Sequence, residues 1–292
     1  MKTSSQTIKE LYEHHEGKTS DKWTLYLDEY DKIFAPYRYR SVRFLEIGVR
    51  NGGSLDIWGH YFSQAEKIIG CDIDARCAQL QYDDPRIVVI VGDANSDECE
   101  QQILAQAPRF EIIIDDGSHR SSDIGRSFAR YFRHLKDGGV YIVEDLHASY
   151  WEEFEGGLHH PGSIMGFLKR LADVIHHEHW QNRRTRRRRD LLASHELQFG
   201  IEFDEFELAR IHSLEFINSL CIIRKLSPDQ NVLGHRVVAG TDEYVNRGCK
   251  ILDRTTIRDS AAGYKDDSDL EIFDLVQAKA ERDHLVGEAA QR

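Results

Sequence analysis

FLEIGVRNGGSL, the stretch from Phe44 to Leu55, decides the fold class of this 292-residue chain. Its first residues have the apolar, extended pattern of a buried strand, and a turn with the three glycines Gly48, Gly52 and Gly53 follows. Glycines in such a turn let the chain bend tightly and let a ligand approach the backbone closely. A strand, a glycine-rich turn and then an amphipathic stretch are typical of a parallel α/β sheet.

Apolar strand patterns alternate with amphipathic helical patterns over the next hundred residues. Strands joined by such crossovers form a parallel sheet with helices on both faces. The predicted strands are Arg43 to Ile47, Lys67 to Cys71, Ile87 to Val91, Phe110 to Ile114 and Gly139 to Val143; the predicted helical stretches are Leu55 to Phe62, Ala75 to Tyr82, Asp97 to Ala105 and Ser122 to Leu135.

Two later segments, Glu207 to Ile211 and Leu220 to Lys225, flank HSLEFINS and are predicted to close the sheet as an antiparallel pair. The fold class is therefore α/β, with a doubly wound, mostly parallel, seven-stranded sheet. Residues 1–40 are predicted to form a helical N-terminal lid, residues 41–227 a cofactor-binding domain, and residues 228–292 a C-terminal extension with a helix candidate from Asp267 to Arg292.

Composition limits the partners of the chain. The net charge of −12 argues against a general nucleic-acid surface, which depends on clustered Lys and Arg. A run of arginines from Arg183 to Arg189 is the exception. It predicts either contact with an anionic partner, which would be a membrane surface, a phosphorylated carrier or nucleic acid, or an ordinary solvated segment. No window resembles a membrane span or a signal peptide, so we expect a cytoplasmic protein. The five cysteines have no metal-binding spacing, and the apolar faces in both flanking regions favour homo-oligomerisation.

The strands after the glycine turn end in acids. IIGCDID places Asp72 about 20 residues past the glycines, the usual distance for an acid that accepts ribose hydroxyls. VIVGDAN places Asp93 at the tip of the next strand. The glycine turn, together with Glu46 in the strand before it, and these two acids form a candidate nucleotide-cofactor site. The dehydrogenase fingerprint GxGxxG is absent, which makes a dehydrogenase an unfavoured alternative.

Two further strands end in a denser group of acids. IIIDDGSH contains Asp115, Asp116 and His119, and YIVEDLH contains Glu144 and Asp145. If the strands are neighbours, about 4.8 Å apart, these carboxylates converge and repel one another unless a cation lies among them. A structural alternative is that Asp115 and Asp116 cap the helix that follows. Three aromatic side chains follow Glu144 and Asp145, and they fit either a sugar-binding site or packing in the core. They are His147, Tyr150 and Trp151.

The succession ExGxxxGG, GCDID and GDA resembles motifs I to III of the class I S-adenosylmethionine (SAM)-dependent methyltransferases. This resemblance implies that Gly48 and its neighbours face the amino-acid portion of the cofactor. It also implies that Asp72 holds the ribose and that Asp93 lies near the adenine. Glu46, Gly52, Gly53 and Asp115 complete the predicted cofactor-binding set.

IIIDDGSH followed by VEDLHASYW is similar to the metal-dependent sugar O-methyltransferases of macrolide biosynthesis, of the mycinamicin and macrocin type, and to rhamnosyl O-methyltransferases. In that family the matching acids bind Mg²⁺ and the histidine is proposed as the general base. The resemblance therefore implies that Asp116, Glu144 and Asp145 are metal ligands and that His119 is the catalytic base. It covers about residues 42–151.

These residues predict a SAM- and Mg²⁺-dependent O-methyltransferase that acts on a sugar hydroxyl of a glycosylated natural product or a surface-polysaccharide precursor. Two alternatives remain open at the level of the sequence. One is methylation of a non-sugar diol, which the same metal arrangement would chelate. The other is a non-catalytic cofactor-binding module in a polysaccharide assembly complex.

Overall fold

The strands of the described residues form one seven-stranded sheet. The computed structural model describes residues 6–180, 186–245 and 248–256. The strand order is β3-β2-β1-β4-β5-β7-β6, with β1 to β5 parallel and β7 antiparallel to both β5 and β6. This arrangement confirms the predicted fold class. The strands are β1 Arg43–Ile47, β2 Lys67–Asp72, β3 Ile87–Val91, β4 Phe110–Asp115, β5 Leu135–Val143, β6 Ile211–Ile217 and β7 Leu220–Lys225.

Helices cover both faces of the sheet because successive apolar side chains of each strand point to opposite faces. Phe44 of β1, for example, packs in the core on one face together with α1, α2 and α3, whereas Leu45 packs in the core on the other face with α4 to α8. The helices are α1 Ile8–Glu13, α2 Thr24–Phe34, α3 Gly53–Tyr61, α4 Asp97–Gln106, α5 Ser121–Tyr131, α6 Ile164–Ile175, α7 Ala193–Phe199 and α8 Glu205–Leu208. Among the described ranges, no helix has the length and apolar character that a membrane crossing requires.

Three element predictions need correction. The segment predicted as a strand from Glu207 to Ile211 begins with the end of α8, and only Ile211 belongs to a strand. Asp204 caps α8 by accepting hydrogen bonds from the amides of Phe206 and Glu207. The strand β6 instead takes up HSLEFI. The stretch Ala75 to Tyr82 forms only a 3₁₀ helix over Ala75–Gln79. The helix predicted from Ser122 to Leu135 ends earlier, and Leu135 already belongs to β5.

The N-terminal region contributes part of the core of the main compact unit. Tyr30 and Phe34 of α2 are fully buried and stack with ring centroids 4.9 Å apart. Both rings also meet Trp58 of α3 edge-on. Burial of such large rings is among the strongest stabilising contributions in a core. The first helices are therefore held firmly beside the carboxyl ends of the strands.

Of the described residues, 6–177 and 187–231 form the main unit, and 178–180, 186, 232–245 and 248–256 belong to a second unit. Within the second unit, the described residues include a 3₁₀ helix at Cys249–Leu252. The predicted helix from Asp267 to Arg292 lies outside the described residues. So do Arg183 and Arg184 of the arginine run. The later arginines have acidic partners inside the main unit, since Arg188 pairs with Glu205 and Arg189 with Glu196. Membrane contact through the run stays a prediction.

A buried histidine gives the fold a predictable response to acid. His195 is 1% exposed, lies between the rings of Phe167 and Phe199, and hydrogen-bonds through Nε2 to the carbonyl of Pro161 at 2.9 Å. Burial lowers its pKa to about 4. In the unfolded chain the pKa of a histidine is about 6.5. Between about pH 4 and pH 6.5 the histidine is therefore protonated in the unfolded chain but not in the folded one.

Stability should therefore fall as the pH drops from about 6.5 towards 4, by at most about 3 kcal/mol from this group. The variant His195→Gln keeps an N–H donor and does not titrate. Urea unfolding of both proteins at several pH values should show a weaker acid dependence for the variant. Equal pH dependence of the two proteins would rule out this role for His195.

Candidate active site at the carboxyl ends of the parallel strands

The strand order reverses between β1 and β4, and the candidate site lies at this point. Such a reversal opens the crevice in which open α/β sheets bind ligands. Ile47 is in register with Asp115, and Asp115 with Val143. Beyond the strands, the Asp116 amide donates to the carbonyl of Ile47 at 2.8 Å, and the Glu144 amide donates to the carbonyl of Asp115 at 3.0 Å. The strand register therefore places Asp116 and Glu144 side by side.

The alternation of side chains along the strands divides the acids between the two faces. Asp115 faces the α5 layer, where its carboxylate accepts from the Tyr141 hydroxyl at 3.2 Å and from the Gly117 amide at 3.4 Å. Burial raises the pKa of Asp115 to about 7. Asp116 and Glu144 face the N-terminal layer instead. The four acids therefore do not converge on one point, because Asp115 lies on the opposite face from the other acids.

Asp116, His119 and Asp145 come together on the N-terminal side. One ligand atom from each lies within 4.8 Å of the other two. His119 Nε2 is 3.9 Å from Asp145 Oδ2. Both residues have left-handed backbone conformations, with φ of 58° for His119 and 53° for Asp145. Non-glycine residues in this region carry a conformational cost that is concentrated at functional sites.

Lys22 is a residue of this site that the sequence did not predict. Its side chain is 4% exposed, and its ammonium group forms an ion pair with Asp116. The same nitrogen lies 2.9 Å from Glu144 Oε2 and 3.8 Å from Glu46 Oε1. The positive charge that balances these acids in this structure is therefore the ammonium group of Lys22, which lies in the segment before α2.

The pKa values of these groups reflect burial and their mutual charge. Burial, followed by the charge of Asp116, raises the pKa of Glu144 to about 8. Burial also raises the pKa of Asp116 and raises that of Glu46 to about 7, against the lowering effect of Lys22. For Lys22, burial opposes the charged form, but Glu144, Asp116 and Glu46 together raise its pKa well above the ordinary value. The cluster thus keeps its lysine charged.

The residues fit a divalent cation. Carboxylate oxygens are the hard ligands that Mg²⁺ prefers, and Asp116 and Asp145 present them towards one point with Glu144 beside Asp116. The close association of Lys22 with two of these acids is an independent sign that the site stabilises positive charge. Asp145 is oriented by the Tyr26 hydroxyl at 2.9 Å and the Trp23 indole nitrogen at 3.2 Å.

The glycine turn lies directly beside the acids. Gly48 has φ of 93°, and a Cβ there would lie 2.0 Å from the carbonyl oxygen of Asp116. Asp72 holds the turn from the next strand, since its Oδ2 accepts from the amides of Val49 at 2.8 Å and Arg50 at 2.7 Å. The turn and the acid cluster are therefore packed directly against each other.

Replacing Gly48 with Ala should destabilise the protein by at least about 2 kcal/mol, because the new Cβ combines a left-handed conformation with a backbone clash. Urea unfolding measures the loss. Gly138→Ala is the matched control, since Gly138 also has a positive φ but a Cβ added there would meet no described atom within 4 Å. If Gly48→Ala lowers the free energy of unfolding no more than Gly138→Ala does, the close approach of Gly48 to the carbonyl of Asp116 is contradicted.

The other two glycines of the turn pack against protein. A Cβ on Gly52 would lie 2.2 Å from the Tyr82 hydroxyl, and one on Gly53 would lie 2.1 Å from the Lys18 carbonyl oxygen. Their absent side chains thus make room for neighbouring segments, and direct contact with a cofactor stays a prediction for both.

Two cavities meet at the glycine turn. The larger one, about 620 Å³, is lined by the predicted metal ligands, by His119 and by Glu46, Gly48 and Asp72. The smaller one, about 190 Å³, lies on the other side and is lined by Asp72, Asp93 and Asp115, with the exposed Ile73 at its edge. Gly48 and Asp72 border both cavities.

This chain is similar to proteins that are named as O-methyltransferases of glycosylated compounds. A 178-residue alignment is 39% identical to 8-demethyl-8-alpha-L-rhamnosyl tetracenomycin-C 2'-O-methyltransferase of Streptomyces olivaceus and covers 57% of this chain and 46% of that protein. This chain is also 39% identical over 160 residues to mycinamicin VI 2''-O-methyltransferase of Micromonospora griseorubida. That alignment covers 51% of this chain and 39% of the relative. The matched part of the chain thus spans less than half the length of either relative. No family model matches the chain.

The fold also matches a solved structure. MycE methyltransferase from the mycinamycin biosynthetic pathway, in complex with Mg, SAH and mycinamycin VI, superposes with a TM-score of 0.63 at 26% identity, over 88% of this chain and 60% of MycE. The resemblance inferred from the motifs is therefore confirmed: the chain is similar to the sugar O-methyltransferases of the rhamnosyl tetracenomycin and mycinamicin type, and it shares its fold with the 60% of MycE that it covers.

Proposed function

We propose that this protein is a SAM-dependent O-methyltransferase that requires Mg²⁺ and methylates a sugar hydroxyl of a glycosylated natural product or a surface-polysaccharide precursor. The observation that carries the proposal is the junction of the glycine turn with the acid cluster in one cavity of about 620 Å³. The names of the similar proteins and the contents of the MycE complex support it.

The cofactor is proposed to lie across both cavities. Glu46 and Gly48 face its amino-acid portion, and Asp72, between the cavities, accepts its ribose hydroxyls through the lone pairs that the turn amides leave free. Asp93 and Asp115 line the smaller cavity and are assigned to the adenine side. Gly52 and Gly53 would support this arrangement through the shape of the turn.

The metal is proposed to bind to Asp116, Glu144 and Asp145. When bound, Mg²⁺ supplies Lewis acidity that makes a nearby hydroxyl easier to deprotonate. His119 then accepts the proton of the acceptor hydroxyl as its oxygen attacks the methyl carbon. The carbon–sulfur bond breaks as the carbon–oxygen bond forms, and the sulfonium becomes a neutral thioether. Catalysis by the protein is mainly positioning of the two reactants in line.

A row of aromatic rings next to His119 supports a sugar acceptor. The ring centroids of Trp23 and His147 are 5.9 Å apart, those of His147 and Trp151 are 5.2 Å apart, and those of Trp151 and Phe154 are 6.0 Å apart. Trp23 and Trp151 are 61% and 48% exposed, so they are not core residues. Exposed aromatic faces of this kind suit the apolar faces of sugar rings.

Methyl transfer from SAM to a panel of rhamnosides, macrolide glycosides, bacterial surface glycans and catechols tests the proposal. We expect one methyl group to be added to a sugar hydroxyl, with activity lost in EDTA and restored by Mg²⁺. A product on the catechol alone would favour the non-sugar diol. Tight binding of S-adenosylhomocysteine without any product, and without any effect of EDTA, would contradict an enzymatic function.

A cytoplasmic location and self-association complete the proposal. Both rest on the sequence, and the exposed Trp23 and Tyr39 of the N-terminal region offer apolar surface for a second copy. Light scattering after gel filtration measures the oligomeric state, and fractionation of the source cells measures the location. A monomer at all concentrations would contradict self-association.

A further inference from the structure

Lys22 occupies the place that the proposed function gives to a metal. We propose that Lys22 is a displaceable counter-cation: Mg²⁺ replaces its ammonium group between Asp116 and Glu144, and the ammonium moves to Glu46. The segment from Thr19 to Trp23 would thereby respond to metal occupancy. This inference rests on the metal site of the proposed function and adds a positioning residue to it.

The two cations compete for the same oxygens. The Lys22 ammonium pairs with Asp116 Oδ2 and with Glu144 Oε2, and both carboxylates belong to the proposed ligand set. An ammonium group and Mg²⁺ at one position would repel each other strongly, because the site is buried and poorly screened. Asp145 has no contact with the ammonium among the described ion pairs, so it is available as the first ligand of an entering ion.

Glu46 is a prepared second partner for the displaced ammonium. Its carboxylate is fully buried, and Oε2 accepts from the Ser54 hydroxyl at 2.7 Å and from the Trp58 indole nitrogen at 3.3 Å. Oε1 receives no hydrogen bond from any described residue and lies 3.8 Å from the Lys22 nitrogen. A shift of about 1 Å would bring this pair to the usual length of a charge-assisted hydrogen bond.

The segment that carries Lys22 is attached to the site at both ends. The carbonyl of Thr19 accepts from the Gly53 amide of the cofactor turn at 3.2 Å. The indole nitrogen of Trp23 donates to Asp145, another proposed metal ligand. Movement of the ammonium and reorientation of Asp145 therefore act on the same few residues. Metal binding and the conformation of this segment share a coupling free energy, which is reciprocal.

Calorimetric titration of Mg²⁺ into the cofactor-free protein tests the competition. The variant Lys22→Met removes the competing charge, so Mg²⁺ should bind about tenfold more tightly or better, within the range that coupled sites show. Lys18→Met is the matched control, because Lys18 lies in the same region but pairs with Asp56 outside the acid cluster. Its Mg²⁺ affinity should equal that of the unsubstituted protein.

The role of Glu46 is tested by a double-mutant cycle. Glu46→Gln should weaken Mg²⁺ binding several-fold when Lys22 is present, because the displaced ammonium loses its partner, and should have a smaller effect in the Lys22→Met background. Equal effects of Glu46→Gln in both backgrounds would overturn the proposed transfer of the ammonium to Glu46.

Hydrogen exchange of the segment 15–23 provides a readout that is independent of the measured Mg²⁺ affinity. In the unsubstituted protein its amide exchange should change on addition of Mg²⁺, and in Lys22→Met the change should be smaller. Equal Mg²⁺ affinity in the two proteins, or unchanged exchange in the unsubstituted protein, would overturn the inference. Absence of Mg²⁺ binding to both proteins would instead refute the metal site of the proposed function, and the inference with it.

Discussion

Replacement of Asp116 by Asn should reduce methyl transfer by at least ~10³-fold, because a metal centre contributes several kcal/mol to charge stabilisation. Asp116 is the acid that connects the parts of the site: it is an ion-pair partner of Lys22, and its ligand atoms lie within 4.8 Å of those of His119 and Asp145. The variant should still bind S-adenosylhomocysteine, since Asp72 and the glycine turn keep their own contacts.

The matched control is Asp137→Asn. Asp137 is an exposed acid near the start of β5, at the end of this strand away from the site, where it pairs with Arg210 at 2.6 Å. Its replacement removes the same charge and should leave turnover unchanged. Steady-state rates over a range of Mg²⁺ concentrations measure both variants. An Asp116→Asn enzyme with normal turnover and normal Mg²⁺ dependence would contradict its assignment as a ligand.

His119→Ala has the second large expected effect, a fall in kcat of about 10² to 10⁴, the usual contribution of a general base. The position of His119 allows two roles, because its Nε2 is near Asp145 and close enough to Asp116 to complete a metal-binding trio. If His119 is the general base, His119→Ala should lower kcat with little change in Mg²⁺ affinity. If His119 is a metal ligand, the same variant should also bind Mg²⁺ more weakly.

Rates and calorimetric Mg²⁺ titrations of the same His119→Ala preparation separate these roles. His60→Ala is the control, because His60 is an exposed histidine of α3 outside the larger cavity. A large loss of Mg²⁺ affinity in His119→Ala would overturn the assignment as base and make His119 a ligand. Normal kcat would exclude both roles.

The strands of the fold were predictable because a short apolar, β-branched run has few alternatives to a buried strand. The bounds of β1, β3 and β7 agree with the prediction to the residue. The helix α8 was missed for a local reason, the cap that Asp204 provides, which competes with the strand character of the next residues. The short 3₁₀ helix after β2 likewise begins at a capping acid, Asp74.

The acids of the site were found from the sequence, but their division between the two faces was not. Successive side chains at the end of β4 point to opposite faces of the sheet. Asp115 therefore contacts Tyr141, whereas Asp116 contacts Lys22. A strand that is apolar on both sides gives no sign of which face each following side chain will take. The pairing of strands in register had to be known first.

Lys22 had no local signal at all. It lies in a polar stretch, and it is separated from Asp116 by 94 positions and from Glu144 by 122. Only tertiary packing of α2, through buried rings such as Tyr30, brings it to the acids. The electrostatic need for a cation was visible in the sequence, whereas the lysine that meets it was not.

The central claim is that one crevice at the ends of β1, β4 and β5 holds both the cofactor and the metal. A crystal structure with S-adenosylhomocysteine and Mn²⁺, located by its anomalous signal, tests this claim most directly. We predict the cofactor over Gly48 with its ribose at Asp72, and the metal between Asp116, Glu144 and Asp145 with Lys22 turned to Glu46. A cofactor without metal, with Lys22 still between Asp116 and Glu144 at saturating Mn²⁺, would contradict it.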